Sequence, residues 1–266
     1  MFNIWAGRFL PPVDRADLYG PFYADNWAVY RDGVQDDYPS TAVGRDDGAA
    51  YWGQFGILKV QLGLFDVPAT YGKSEVLTSG RLMIDLWDPE PGYYLNGTYF
   101  GEKNILALGI SGQSSANQHV YGADFLMERN VHGVGTFTVE SEYVRNSRLG
   151  AYGSITGLNP LSGTACSGGC YADNHGYYVL LGYLLPQPIG DGRVQILGKY
   201  GSAGYGAPDA AIPTLPSQYV QHTSEFDLKY VIKPFDAAVT LFYLDQARDS
   251  GFADARTVGV GLQLQM

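Results

Sequence analysis

Apolar and polar residues take turns along most of this chain with a period of two. Val258, Val260, Leu262, Leu264 and Met266 alternate with Thr257, Gly259, Gly261, Gln263 and Gln265, which predicts a closing strand with one apolar face. Ala237, Val239, Leu241 and Tyr243 oppose Asp236, Ala238 and Thr240, with Phe242 the exception. Leu58, Val60, Leu62 and Leu64 alternate with Lys59, Gln61 and Gly63, and Leu82, Ile84 and Leu86 with Arg81, Met83 and Asp85. Phe137, Val139, Ser141 and Tyr143 oppose Thr136, Thr138, Glu140 and Glu142, and Val194, Ile196 and Tyr200 oppose Arg193, Gln195 and Lys199. Residues 177–184 and 2–9 alternate poorly and read as strands mainly from their neighbours.

Short and long links alternate between these tracts. Residues 55–56, 129–133, 187–190 and 233–234 are brief turns. Residues 11–48, 68–78, 145–176, 202–217 and 248–256 are long and polar, rich in Gly, Asp, Pro or Ser. Only 89–103 is longer than its side of the scheme requires. An antiparallel meander with tight turns at one end and long loops at the other is the layout of an all-β transmembrane β-barrel of the bacterial outer membrane, with about twelve strands here.

Aromatic residues fit two girdles: Tyr121, Tyr143, Tyr177, Tyr200 and Tyr243 near the outer strand ends, Phe55, Tyr183 and Tyr230 near the inner ends. A soluble barrel turns its apolar faces inward and has no use for such rings. In hydrocarbon a sheet spans only if its backbone groups are all paired, so the apolar set faces lipid and the polar set faces a lumen. That lumen is expected to carry Lys59, Arg81, Asp85, Asp124, Glu140, Glu142, Arg193, Lys199, Glu225, Asp227, Lys229 and Asp236. So many ionisable groups argue for a wet pore rather than a dry core.

Composition narrows the field further. A formal charge of -10 and no basic stripe exclude a nucleic-acid surface. With 35 Gly, 14% aromatic and 17% charged residues, the chain is too aromatic for disorder and poorer in charge than ordinary soluble domains. No apolar run approaches the ~20 residues of a membrane helix, and residues 1–8 carry no secretory signal pattern.

Three stretches carry a family resemblance: Asn-Ile-Trp-Ala-Gly-Arg-Phe-Leu-Pro-Pro-Val-Asp-Arg-Ala-Asp over 3–17, Val-Gly-Arg-Asp-Asp-Gly over 43–48, and Leu-Trp-Asp-Pro-Glu-Pro-Gly-Tyr-Tyr over 86–94. With the closing strand, the chain resembles Gram-negative porins of the kind grouped with phosphate-selective porins. The resemblance implies a homotrimeric outer-membrane channel of about sixteen strands, set in lipid and lipopolysaccharide and inserted by the barrel-assembly machinery through its C-terminal strand. It also implies that the loop after the fifth strand folds into the lumen. If residues 2–9 are that fifth strand, 11–48 is the constriction loop and the chain is one barrel domain, 1–266, lacking four strands and a signal peptide. The family's usual terminal Phe is replaced by Met266. Phosphate preference does not carry over, because lumen acids outnumber bases and no dense Lys or Arg cluster stands out.

Asp14, Arg15, Asp17, Arg45, Asp46 and Asp47 are the candidate eyelet within that loop. In the lumen, Asp124, Glu140 and Glu142 form an acidic wall opposed to the basic pair Lys59 and Arg81, a transverse field of the kind that biases permeation. Cys166 and Cys170 close a small ring, for which a disulfide is the default in an exported protein and a metal site the rival. No metal, cofactor or enzymatic activity is expected: no phosphate-cradling loop accompanies a strand-helix unit, and His222 with Ser224 lacks an evident orienting acid. The expected function is passive diffusion of small hydrophilic solutes, with a non-conducting barrel for adhesion or envelope scaffolding as the alternative.

Overall fold

Among the described residues, twelve antiparallel strands follow one another in a single sheet, in sequence order. The structure, a computed structural model, describes residues 2–29, 34, 45–67, 75–115, 118–147, 173–206 and 218–265. The strands are β1 (Phe2–Phe9), β2 (Asp46–Phe55), β3 (Leu58–Val67), β4 (Glu75–Asp85), β5 (Ile105–Ser115), β6 (Gln118–Val131), β7 (Gly135–Ser147), β8 (Asp173–Leu184), β9 (Arg193–Tyr205), β10 (Tyr219–Lys233), β11 (Ala237–Arg248) and β12 (Ala255–Leu264). One short helix, α1 (Arg15–Tyr23), lies between β1 and β2. Gly56, at φ 61°, makes the tight β2–β3 turn in a conformation a side chain would resist.

The period-two pattern settles which face turns where. Leu62, Leu64, Leu82, Ile84, Leu108, Ile110, Leu181, Phe226, Leu228 and Leu241 are exposed on the outer face, and their sequence neighbours Gln61, Arg81, Leu180, Glu225 and Asp227 are buried on the other. Tyr143 and Tyr177 are register partners near the long-link end. Six residues further along β8, about 20 Å of strand, Tyr183 stacks on Phe137 at 5.0 Å. That separation fits the apolar band of about 25 Å in outer-membrane barrels. Both inner-girdle tyrosines also cap turns: the Tyr183 hydroxyl donates to the Val134 carbonyl and the Tyr230 hydroxyl to the Ile189 carbonyl, each at 2.6 Å.

The sheet curls round its buried face. Phe100 packs on Phe235 of the β10–β11 turn at 5.2 Å, while the adjacent Gly101 N–H donates to Glu128 Oε1 on β6 at 2.7 Å. In a flat sheet β6 and β10 stand about 19 Å apart. Among the described residues, β1 pairs only with β2 and β12 only with β11, which makes them the two edges of the sheet.

Candidate functional site

Two links fold onto the concave face and pack against it. The first runs from Leu10 through α1 to Val29. Asp14 caps α1 by accepting from Asp17 N at 2.9 Å, and Gly20, at φ 61°, breaks the helical run inside it. The second, residues 86–104, lies on the short-turn side. Leu10, Leu18, Tyr93 and Leu95 from these links pack with the inward Phe65, Leu77, Leu126, Leu180 and Leu197 of the strands.

Ionic groups then fix the register of the first link. Arg15 forks onto Glu90, with Nη1 donating to Oε1 at 2.9 Å and Nη2 to Oε2 at 2.6 Å, and Nη1 also reaches the Asn96 carbonyl at 2.8 Å. Its Nε lies 3.6 Å from Asp124 Oδ1. Arg81 donates to Asp124 through both terminal nitrogens, Nη2 at 2.7 Å, and to the Val13 carbonyl at 3.1 Å. Lys59 donates to the Glu90 carbonyl at 2.6 Å. Further along, Gln195 Nε2 donates to Asp25 Oδ1 at 2.8 Å. Asn26 Nδ2 and Ala28 N donate to the two oxygens of Glu225 at 2.7 and 2.6 Å, and Trp27 N donates to Asp227 Oδ2 at 2.8 Å. Lys229 donates to the Asp25 carbonyl, and Lys199 lies 3.1 Å from Glu225.

Burial sets the proton affinities in the links. It pushes the Asp14 carboxyl up to about 6, against the pull of the Asp17 N–H. It pushes Asp25 up to about 7, with Lys229 opposing. Glu90 also suffers desolvation, but the charge and hydrogen bonds of Arg15 outweigh it and hold the carboxyl below its ordinary range.

Most of the expected lumen residues do face inward: Lys59, Arg81, Asp85, Asp124, Glu140, Glu142, Lys199, Glu225, Asp227 and Lys229 are buried on the concave face, and the half-buried Arg193 donates to the Phe100 carbonyl at 2.9 Å. Their surroundings weaken only the argument that so many buried charges must all be solvated. Ions of opposite sign and backbone amides from the two links satisfy much of this set, so charge and burial coexist. Acidic and basic walls do not stand opposed either, since Arg81 and Asp124 pair directly.

Asp236 is a correction of position: it lies in the β10–β11 turn, ion-paired with Lys233 at 2.5 Å. In the first link, Asp14, Arg15 and Asp17 are buried. Arg45 is exposed, Asp46 opens β2 on the buried face, and Asp47 turns outward to pair with Arg8 at 2.7 Å. Period two along β2 separates these last two, so they do not form one eyelet. Cys166 and Cys170 lie outside the described residues.

Sequence reasoning missed the second link and its receptor. Glu128 on β6 accepts from Thr98 Oγ1 at 2.7 Å, Tyr99 N at 2.9 Å and Gly101 N, which ties residues 98–101 inside. The available signal was the anomalous length of residues 89–103.

No family model and no curated protein matches the chain. Among solved structures, it is similar to OmpTdeltaL8, a loop L8 deletion mutant of OmpT, an outer membrane protein of Vibrio cholerae. The likeness has a TM-score of 0.50 at 10% identity, over 97% of this chain and 74% of that one. Together with the outward apolar band and its girdles, it shows an outer-membrane β-barrel protein. The same likeness corrects the expectation that the chain is no enzyme. It reaches an outer-membrane fold alone, a fold can host unrelated chemistries, and so absence of activity does not follow. His222 Nδ1 lies 3.0 Å from the Tyr200 hydroxyl, a contact that supplies no carboxylate.

Proposed function

We propose that this protein is a porin, passing small hydrophilic solutes and ions through the outer membrane by passive diffusion, with residues 10–29 as the element that sets the width of the path. The observation that supports this reading is the ionic concave face with the link 10–29 laid along it, held by Arg15, Asp25 and Asn26. Among the described residues, twelve carboxyl groups and five Lys or Arg side chains are buried. An interior so biased favours cations over anions. This is why the porin class of the resemblance is kept and phosphate as the solute is not. The proposed working form is a homotrimer in lipid and lipopolysaccharide, inserted by the assembly machinery through β12.

A second reading, a non-conducting barrel, is favoured by one specific observation: Arg15, Glu90, Arg81 and Asp124 are almost wholly buried, so the links fill the interior at that level. Planar-bilayer recording decides between them. Stepwise currents with a cation-favouring reversal potential support the channel. A folded, inserted barrel that passes no stepwise current overturns it.

A further inference from the structure

The register of β7 and β8 brings Asn146 and Asn174 to the same level on the inward face, near the long-link ends of the strands. They are 1% and 4% exposed, yet Asn146 Oδ1, Asn146 Nδ2 and Asn174 Nδ2 have no hydrogen-bond partner among the described residues. Buried amides are normally satisfied, so three idle atoms at one level point to a ligand or water. Both side chains line a cavity of about 360 Å³ that also takes in Arg145, His175, Gln218 and Ser250. Its wall is fixed in advance. Val220 N donates to Asp249 Oδ1 at 2.7 Å, Asp249 N to the Val220 carbonyl at 3.2 Å, and Ser250 Oγ to the Gln218 carbonyl at 3.2 Å. Tyr205 and Tyr219 stack at 4.5 Å behind it.

We propose that this cavity binds a neutral mono- or disaccharide. The three idle atoms comprise two donors and one acceptor, and a sugar hydroxyl both donates and accepts, so a few hydroxyls satisfy all of them. A carboxylate or phosphate only accepts and leaves Asn146 Oδ1 idle. An ammonium only donates and leaves both Nδ2 groups idle. The volume falls at the lower end of small-ligand sites, which suits one or two sugar rings. A site at the long-link end faces the cell exterior in the barrel orientation described above, where it meets solute before the interior does.

Isothermal titration of the folded full chain in detergent, with glucose, maltose and glucuronate as probes, tests this. Saturable binding of a neutral sugar is expected, weakened about tenfold or more in Asn146→Asp and Asn174→Asp, which keep size but cannot donate. Resistance of the folded band to unheated SDS reports whether each variant folds. Should either fail to fold, hydrogen exchange on the wild type replaces it, with slowed exchange in 143–147 and 174–177 on adding maltose expected. No saturable binding of either neutral sugar, tighter binding of glucuronate, unchanged affinity in folded variants, or unchanged exchange each overturns the proposal and leaves water as the occupant. None of these readouts uses a current, so their failure is separate from failure of the channel reading.

Discussion

Arg81 on β4 and Asp124 on β6 pair across the intervening strand, over Gly109 of β5. Gly109 is the register partner of both Met83 and Asp124. A Cβ at that position would collide with the Arg81 guanidinium and sit 2.7 Å from both Asp124 oxygens. The absence of a side chain on β5 is therefore what allows two strands that are not neighbours to share a buried ion pair. Gly109→Val is expected to force the pair apart and leave Asp124 short of its partner. Breaking a buried pair costs about 3–5 kcal/mol. Urea unfolding followed by tryptophan fluorescence should show a loss of that order, whereas Gly198→Val, where a Cβ meets nothing within 4 Å, should cost far less.

The Arg15 fork on Glu90 holds the first link inside. Arg15→Met removes five donors and leaves Glu90 buried beside Tyr99, whose hydroxyl donates to it at 2.6 Å. If the link sets the path, single-channel conductance should rise in Arg15→Met and rise no further in Arg15→Met with Glu90→Gln, because both act on one contact. Equal conductance in wild type and variants would place the narrowest point elsewhere.

Charge on β7 provides a separate readout. Glu140 accepts from the Tyr178 hydroxyl at 2.7 Å, and Glu142 from Ala16 N at 3.2 Å. Glutamine keeps both acceptors while removing both ionisable carboxyl groups. Glu140→Gln with Glu142→Gln should shift the reversal potential toward anions with little change in folding, and an unshifted potential would show that these groups do not set selectivity.

Asp25 gives the fold a pH dependence of known sign. Its carboxyl is raised to about 7 in the folded protein, against an ordinary value near 4 in the unfolded chain. Between those values the folded state holds a proton that the unfolded state has lost. Stability from this group is thus full below about pH 4 and falls as pH rises toward 7, by at most about 1.4 kcal/mol per pH unit. Asp25→Asn should flatten the urea midpoint between pH 4 and 7 relative to wild type. A wild-type midpoint that rises more steeply than that of the variant would reverse the sign.

The outer face was readable from sequence because lipid imposes one demand on every strand, and Leu58 to Leu64, Leu82 to Leu86 and Val258 to Leu264 obey it without interruption. The inner face was less so. Residues 177–184 alternate poorly because Tyr178, Leu180 and Leu184 also meet apolar partners, supplied by the links folded inside. Likewise Trp5, on poorly alternating β1, packs on Tyr93 at 4.7 Å. Such partners lie 80 or more residues away in some cases, and a period says nothing about them. Charges expected to be solvated proved to be paired for the same reason: Glu90 and Glu128 act through contacts that no local spacing announces.

Adjacent residues on a strand see lipid and interior in turn. Ile110 is 58% exposed and Ser111 8% exposed on β5, so they test it at one level. Spin labels placed by Ile110→Cys and Ser111→Cys in liposome-embedded protein, read by collision with molecular oxygen, should show high access at 110 and low access at 111. Equal access, or greater access at 111, would contradict the account.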